Sequence, residues 1–168
     1  MEPKRQKYFT IILIMKDVEF KSLDLSLVKP LVLFQKKFFK QLNGNIFYEN
    51  EIIKNLKNKY LYIHLSFIKK SIVGFLIAQK VLDFFEIHSL FVSPDYRREG
   101  IAMRLLNEFI DKCKDDKIDR ILLEVMEHNN AAKKLYLKNE FLIYGERKGY
   151  YLIGDKRFNG ILMKLELK

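Results

Sequence analysis

Apolar residues along this chain recur with two spacings, every second residue and every third or fourth, and the switches between them divide the sequence into elements. After a polar, basic stretch over residues 1 to 8, expected to be disordered, comes a short apolar run, Phe9 to Met15. Val18-Glu19-Phe20-Lys21 alternates as a strand and can join that run. Leu27, Leu31, Phe34 and Phe38 repeat at three and four, a helix for which Asp24 or Ser26 is the cap and in which Pro30 fits only within the first turn. Asn43-Gly44-Asn45 is a turn, and a second short helix spans Tyr48 to Leu56. Strand patterns follow over Tyr60 to Phe67, Ile72 to Lys80 and Phe84 to Val92, separated by Lys69-Lys70-Ser71 and Leu82-Asp83. Ile101, Leu105, Phe109, Ile110 and Cys113 form the buried stripe of a longer helix that ends near Asp115-Asp116-Lys117.

Arg120 to Val125 is dense enough in branched residues for the centre of a sheet. Asn129 or Asn130 can cap a short helix from Ala131 to Tyr136, which stops at Lys138-Asn139. Phe141 to Glu146 and Gly160 to Leu167 read as a closing strand pair. The order β-α-α-β-β-β-α-β-α-β-β predicts an α/β fold, with a mixed, mostly antiparallel sheet of about seven strands and helices on both faces. Residues 1–15 are expected to be a basic leader and the start of the first strand, and 16–168 a single domain.

Composition narrows the classes. No apolar run is long enough to span a bilayer, so no membrane partner is expected. The apolar run near the start is short and lacks a small-residue cleavage site, which argues against a cleaved signal. The one cysteine, Cys113, falls at a core spacing and suits a reducing, cytoplasmic setting. A net charge of +10 raises the question of nucleic acid. The basic residues are spread along the chain without a nucleic-acid-binding pattern, so no specific nucleic-acid partner is expected. No set of histidine, cysteine and carboxylate has metal-ligand spacing, and His64 and His128 have no partner by spacing.

The candidate chemistry starts where the Phe84–Val92 strand passes through Ser93-Pro94-Asp95 into the long helix. Arg97, Arg98, Glu99, Gly100, Ile101, Ala102 and Arg104 surround its start. Amides at a helix start have no internal partner and attract anionic oxygens, small residues let a ligand approach, and arginines add charge. The stretch reads as a pyrophosphate cradle. Glu124 stands out as a carboxylate in an otherwise apolar strand, where an unpaired charge would be costly; a strand-end salt bridge is the alternative to a catalytic role. Glu86 and His88 form a second polar pair, two apart and so on one face of their strand.

Arg97-x-x-Gly100-x-Ala102 between a strand and a helix resembles the acetyl-CoA-binding motif of the GCN5-related N-acetyltransferase superfamily. EVMEHNNAAKKLY resembles that family's second marker, matching Glu124, Val125, Asn129, Ala132 and Tyr136, and ERKGYYLIGDKRFNGILM resembles its Tyr-Tyr loop and final strand. The likeness covers roughly residues 16 to 167 and is strongest to protein N-terminal α-amine acetyltransferases. The later half is similar to the ribosomal-protein alanine type. The segment VEFKSLDLSLVKPLVLFQKKFFKQLNGNIFY is similar to the Met-selective type.

The resemblance implies acetyl-CoA as cosubstrate, held by the cradle, by Asn129 and Ala132, and by the backbone of Leu90, Phe91 and Val92 on a strand that bulges away from its neighbour. It implies Glu124 as general base, with Glu86 either acting beside it or recognising the cationic amine, His88 either taking part or a satisfied, partly buried histidine, and Tyr136 as donor of a proton to the departing sulfur. It places Phe39, Tyr48, Tyr150 and Tyr151 along the groove of a protein or peptide N-terminus. An auxiliary subunit or the ribosome is an allowed partner, and a monomer is expected rather than an obligate oligomer. The same machinery would also suit a small, polyamine-like amine or lysine side chains. Three positions depart from the family pattern. Glu140 stands where glycine usually ends the Tyr136 helix, so Asn139 is expected to take the left-handed conformation; Asn159-Gly160 replaces Asp-Ala; and Lys40-Gln41-Leu42-Asn43 lacks the proline of the Met-selective type.

Overall fold

The computed structural model describes residues 18–38, 40–42, 46–57 and 59–168. Within them runs a seven-stranded sheet of order β1-β2-β3-β4-β5-β7-β6. The strands are β1 (Glu19–Ser22), β2 (Leu61–Ile68), β3 (Ser71–Val81), β4 (Phe84–Val92), β5 (Arg120–Met126), β6 (Leu142–Ile153) and β7 (Lys156–Glu166). Only the β4–β5 pair is parallel; every other neighbour is antiparallel. The helices are α1 (Val28–Lys37), α2 (Glu49–Lys57), α3 (Ile101–Asp115) and α4 (Asn130–Lys138). The predicted element order is the observed one. The expected leader over residues 1–15 and the turn at 43–45 lie outside the described residues.

Strand alternation divides the core in two. One face of the sheet carries Leu76, Ala78, Phe85, Ile87, Ile121 and Leu123 and is closed by Leu105, Leu106 and Phe109 of α3 and Tyr136 of α4. The other carries Leu61, Ile63, Leu65, Phe75, Ile77 and Phe91 and is closed by Val28, Leu31 and Val32 of α1 and Ile52 of α2. Pro30 does fall in the first turn of α1, after a short 3-10 turn capped by Asp24, whose carboxylate accepts from the amides of Ser26 and Leu27. Gln35, fully buried in α1, donates to the carbonyl of Phe47 and accepts from its amide, at 3.2 and 2.9 Å. An unbonded buried amide would be costly, so this pair fixes the segment before α2 against α1.

Two details differ from expectation. The closing strands are longer than predicted, and Tyr150 and Tyr151 lie within β6 instead of a loop. The loop was implied by the family resemblance; the strand there is irregular, since Arg147 pairs with Gly160 and Tyr151 with Phe158, so β6 uses four steps where β7 uses two. Gly149 takes up the excess at a φ of 60°, held by its amide's bond to Asn159 Oδ1 at 2.9 Å. At the end of α4, Glu140 and not Asn139 is left-handed, with a φ of 65° against −100°. The amide of Phe141 bonds the carbonyl of Tyr136, and that of Glu140 bonds Leu137. This Schellman closure lets the buried Phe141 ring pack on Tyr136, with centroids 5.5 Å apart.

Candidate active site

The site exists because β4 and β5 part. They pair only from Phe84 with Arg120 to Ile87 with Leu123. Just beyond, Ile77 of β3 faces Ser89 while Ala78 faces Ile87, which leaves His88 as an extra residue in β4. A bulge of this kind bends its strand, and from it onward the β4 edge facing β5 carries no ladder bonds. Between the diverging strands lies a cavity of about 800 Å³. Its wall includes Ile87 to Val92 of β4 and Glu124 to Met126 of β5. Phe91 and Val92 bury their side chains in the two opposite cores. What this strand offers the cavity is its backbone.

On the α3 side, the cavity reaches Arg97, Arg98, Gly100, Ile101 and Ala102. Arg98 and Gly100 have φ of 68° and 79°, and among the described residues no side chain caps α3. The first helical bond runs from the Arg104 amide to the Gly100 carbonyl, so the amides of Ile101, Ala102 and Met103 precede it. Unbonded amides, a positive helix end and two arginines fit an anionic group. Arg97 is held by its Nε bond to the Val92 carbonyl at 3.1 Å and by the Phe91 ring. Asn129 caps α4 through the Ala132 amide, at 3.2 Å, and both residues line the cavity. The cradle, Asn129 and Ala132 together suit a long ligand with an anionic end.

Glu124 and Tyr136 open onto this same cavity. Burial pushes the Tyr136 phenol well above its ordinary range, so its proton is retained at neutral pH. Glu124 makes the salt bridge that its sequence context allowed: Arg147 Nη1 lies 3.1 Å from Oε2. The alignment is not that of a hydrogen bond, and both carboxylate oxygens are buried with no hydrogen-bond donor among the described residues. Gly160 makes room for the group, because a Cβ there would stand 2.7 Å from Glu124 Cδ. Tyr151 also lines the cavity; burial, then the charge of Glu124, push its phenol up. His88 is in the wall, its Nε2 3.1 Å from Gln79 Oε1 and its ring against Phe47.

Other expected site residues are not brought together. Glu86 shares a sheet face with Glu124, as the register with Gln79 and Leu122 requires, yet does not line the cavity. Tyr48 and Tyr150 are more than half exposed and also stand outside it. Phe39 lies outside the described residues. Arg104 and Glu99 line a separate small hollow with Phe20. Arg104 turns there because it pairs with Glu108 at 2.8 Å and covers the Phe20 ring at 4.2 Å. Burial favours protonated Glu108, but its bonds from Arg104 and His64 outweigh this and hold the carboxyl below its usual range.

Sequence reasoning missed Arg147, Ser89, Tyr96, Met103 and Leu135. Arg147 and Ser89 owe their places to the two strand irregularities, which period-two alternation does not reveal. The wall residues Gln41 and Leu42 fall in the loop that was flagged only for a missing proline.

A sheet parted beside a free helix start, with a carboxylate and a protonated phenol in the opening, is the architecture of a group-transfer enzyme with an anionic donor. Residues 31–141 match the model of the Acetyltransferase (GNAT) family, and the chain belongs to that family. Among its relatives is the [ribosomal protein bS18]-alanine N-acetyltransferase of Escherichia coli strain K12, 33% identical over 119 residues, which are 71% of this chain and 80% of that protein. The crystal structure of the ribosomal-protein-S18-alanine N-acetyltransferase from Escherichia coli superposes with a TM-score of 0.77 at 25% identity, covering 90% of this chain and 94% of the other. Arabidopsis thaliana NAA60 in complex with a bisubstrate analogue shares the fold, with a TM-score of 0.74 at 24% identity over 89% of this chain and 97% of that one.

Proposed function

We propose that this enzyme transfers the acetyl group of acetyl-CoA to the α-amine of a protein or peptide N-terminus, by direct attack in a ternary complex, using a single domain over residues 16–168. The observation that carries the reading is that Glu124 and Tyr136 open onto one cavity whose far end is the free start of α3. The likeness to ribosomal-protein alanine acetyltransferases supports the N-terminal acceptor. Acetyl-CoA supplies an activated thioester carbonyl. The amides of Ile101, Ala102 and Met103, with Arg97 and Arg98, hold its phosphates. Asn129, Ala132 and the unpaired β4 backbone hold its arm, and amides near Leu90 to Val92 stabilise negative charge on the reacting oxygen. Glu124 accepts the ammonium proton, with His88 and water near it. Tyr136 gives its proton to the leaving sulfur.

A cytoplasmic, monomeric enzyme meeting nascent or ribosomal proteins fits the net charge of +10, and among the described residues no helix is long and apolar enough to cross a membrane. The test is acetyl-CoA turnover with short peptides varied at the first two residues, beside spermidine and an N-terminally blocked lysine peptide. Free N-termini are expected to be acetylated selectively, with kcat lowered by roughly 10²- to 10⁴-fold in E124Q and Y136F. Turnover confined to spermidine or the blocked peptide would refute the N-terminal acceptor and favour a small-amine or lysine enzyme.

A further inference from the structure

The proposed function gives no part to Arg147, the one cation among the described residues that touches Glu124. Arg147 approaches the carboxylate from the open side: its side chain is 55% exposed, whereas that of Glu124 is 13% exposed. Its place is set by the β6 irregularity, which Gly149 and Asn159 hold, and by the missing side chain at Gly160 directly opposite. The pair is incompletely bonded: the Tyr151 phenol stands beside Glu124, yet neither carboxylate oxygen receives a well-aligned hydrogen bond among the described residues. The same guanidinium lies 5.2 Å from the centre of the Tyr150 ring, which packs edge-on against Tyr151. Arg147 therefore has two partners within reach, one buried and anionic, one exposed and aromatic.

We infer that Arg147 is a displaceable counter-ion that keeps the seat of the acceptor amine. Resting on the reading of Glu124 as that seat, the exchange runs as follows. Without acceptor, the guanidinium neutralises a carboxylate that would otherwise be a buried, uncompensated charge. An arriving ammonium brings well-aligned donors to the carboxylate, takes over its oxygens, and leaves Arg147 to the Tyr150 face that it already covers. Only a cation can make this exchange without stranding the carboxylate. A neutral hydroxyl or thiol acceptor cannot, so Arg147 is a specificity-determining residue that selects charged amines.

The experiment compares wild type with R147Q, R147K and Y150L. Removing the competing cation in R147Q is expected to lower acceptor KM by about fivefold or more, with kcat changed less than twofold and the acetyl-CoA KM unchanged. R147K, which restores a cation, is expected to return acceptor KM toward wild type, and Y150L, which removes the alternative resting place, to raise it. Acceptor affinity measured calorimetrically in the presence of coenzyme A must show the same order without turnover. An unchanged or raised acceptor KM in R147Q overturns the inference, as does failure of R147K to restore it. The double variant E124Q/R147Q separates the two readings: the affinity gained in R147Q must vanish when Glu124 is neutral. If E124Q alone keeps full turnover, the base assignment fails, and the calorimetric cycle still decides whether Arg147 guards that carboxylate.

Discussion

At Gly160 the difference between hydrogen and methyl decides where a carboxylate lies. A Cβ built there meets Glu124 Cδ and Oε1 at 2.7 Å and Cγ at 3.1 Å, and the flexible side chain, not the β7 backbone, must give way. Gly160→Ala is thus expected to leave the fold intact and to swing the carboxylate off Arg147. Because misplacement of a reacting group by about 1 Å can cost 10²-fold, kcat should fall by roughly 10- to 100-fold while the melting temperature changes little. Steady-state kinetics beside a thermal melt test this; a kcat equal to wild type would show that the carboxylate tolerates the shift. Residue by residue, the sequence was informative where chemistry and pattern disagree. Glu124 was visible as a charge in an apolar strand, and Gly100 and Ala102 as small residues at a helix start. Arg147 was invisible, because its meeting with Glu124 depends on irregularities in its own strand β6 and reaches across β7. The His64–Glu108 contact at 2.7 Å was equally hidden, since it spans 44 positions.

Elements were the most legible level. Among the described residues, all seven strands and four helices were anticipated, and the period is cleanest in β5, which buries every second residue, and in α3, which buries Ile101, Leu105, Leu106, Phe109, Ile110 and Cys113. Their ends were less legible, and the ends carry consequences. At the close of α4, Glu140 holds a φ of 65°, where a side chain is strained by roughly 1–2 kcal/mol and glycine is not. Glu140→Gly is expected to raise the unfolding free energy by about 1 kcal/mol in urea melts, since the Schellman bonds through Phe141 and Glu140 are kept. A loss of stability would mean that the Glu140 side chain makes a compensating interaction. The hairpin of β6 and β7 was less legible, because its strands are irregular: Gly149 absorbs a bulge inside β6.

For the molecule as a whole, several neutral acids are sealed inside. Cys113 is fully buried on the inner face of α3, and burial pushes its thiol from 9.0 to about 12. A group with its folded pKa raised contributes stability that is complete below the unfolded value and disappears as pH rises through the folded one. The unfolding free energy should therefore decline between pH 9 and pH 12, by up to about 1.4 kcal/mol per pH unit for this group alone. Tyr136 and Tyr151, raised chiefly by burial, steepen the fall at the alkaline end. Urea midpoints at pH 8 and 10.5 under reducing conditions should fall more steeply for wild type than for Cys113→Ala; parallel slopes would exclude the thiol as a contributor.

The gap between β4 and β5 was made by omitting ladder bonds, not by hollowing out either core. The two apolar layers that hold the protein together lie on opposite faces of the sheet, and part of the cavity wall belongs to them, but Gln41, Ser89, Met126 and Tyr151 do not. Mutation can therefore explore Gln41, Ser89, Met126 and Tyr151, all of them in the wall, without wagering the fold on each attempt. A protein so arranged can change its clientele over generations while its scaffold stays put.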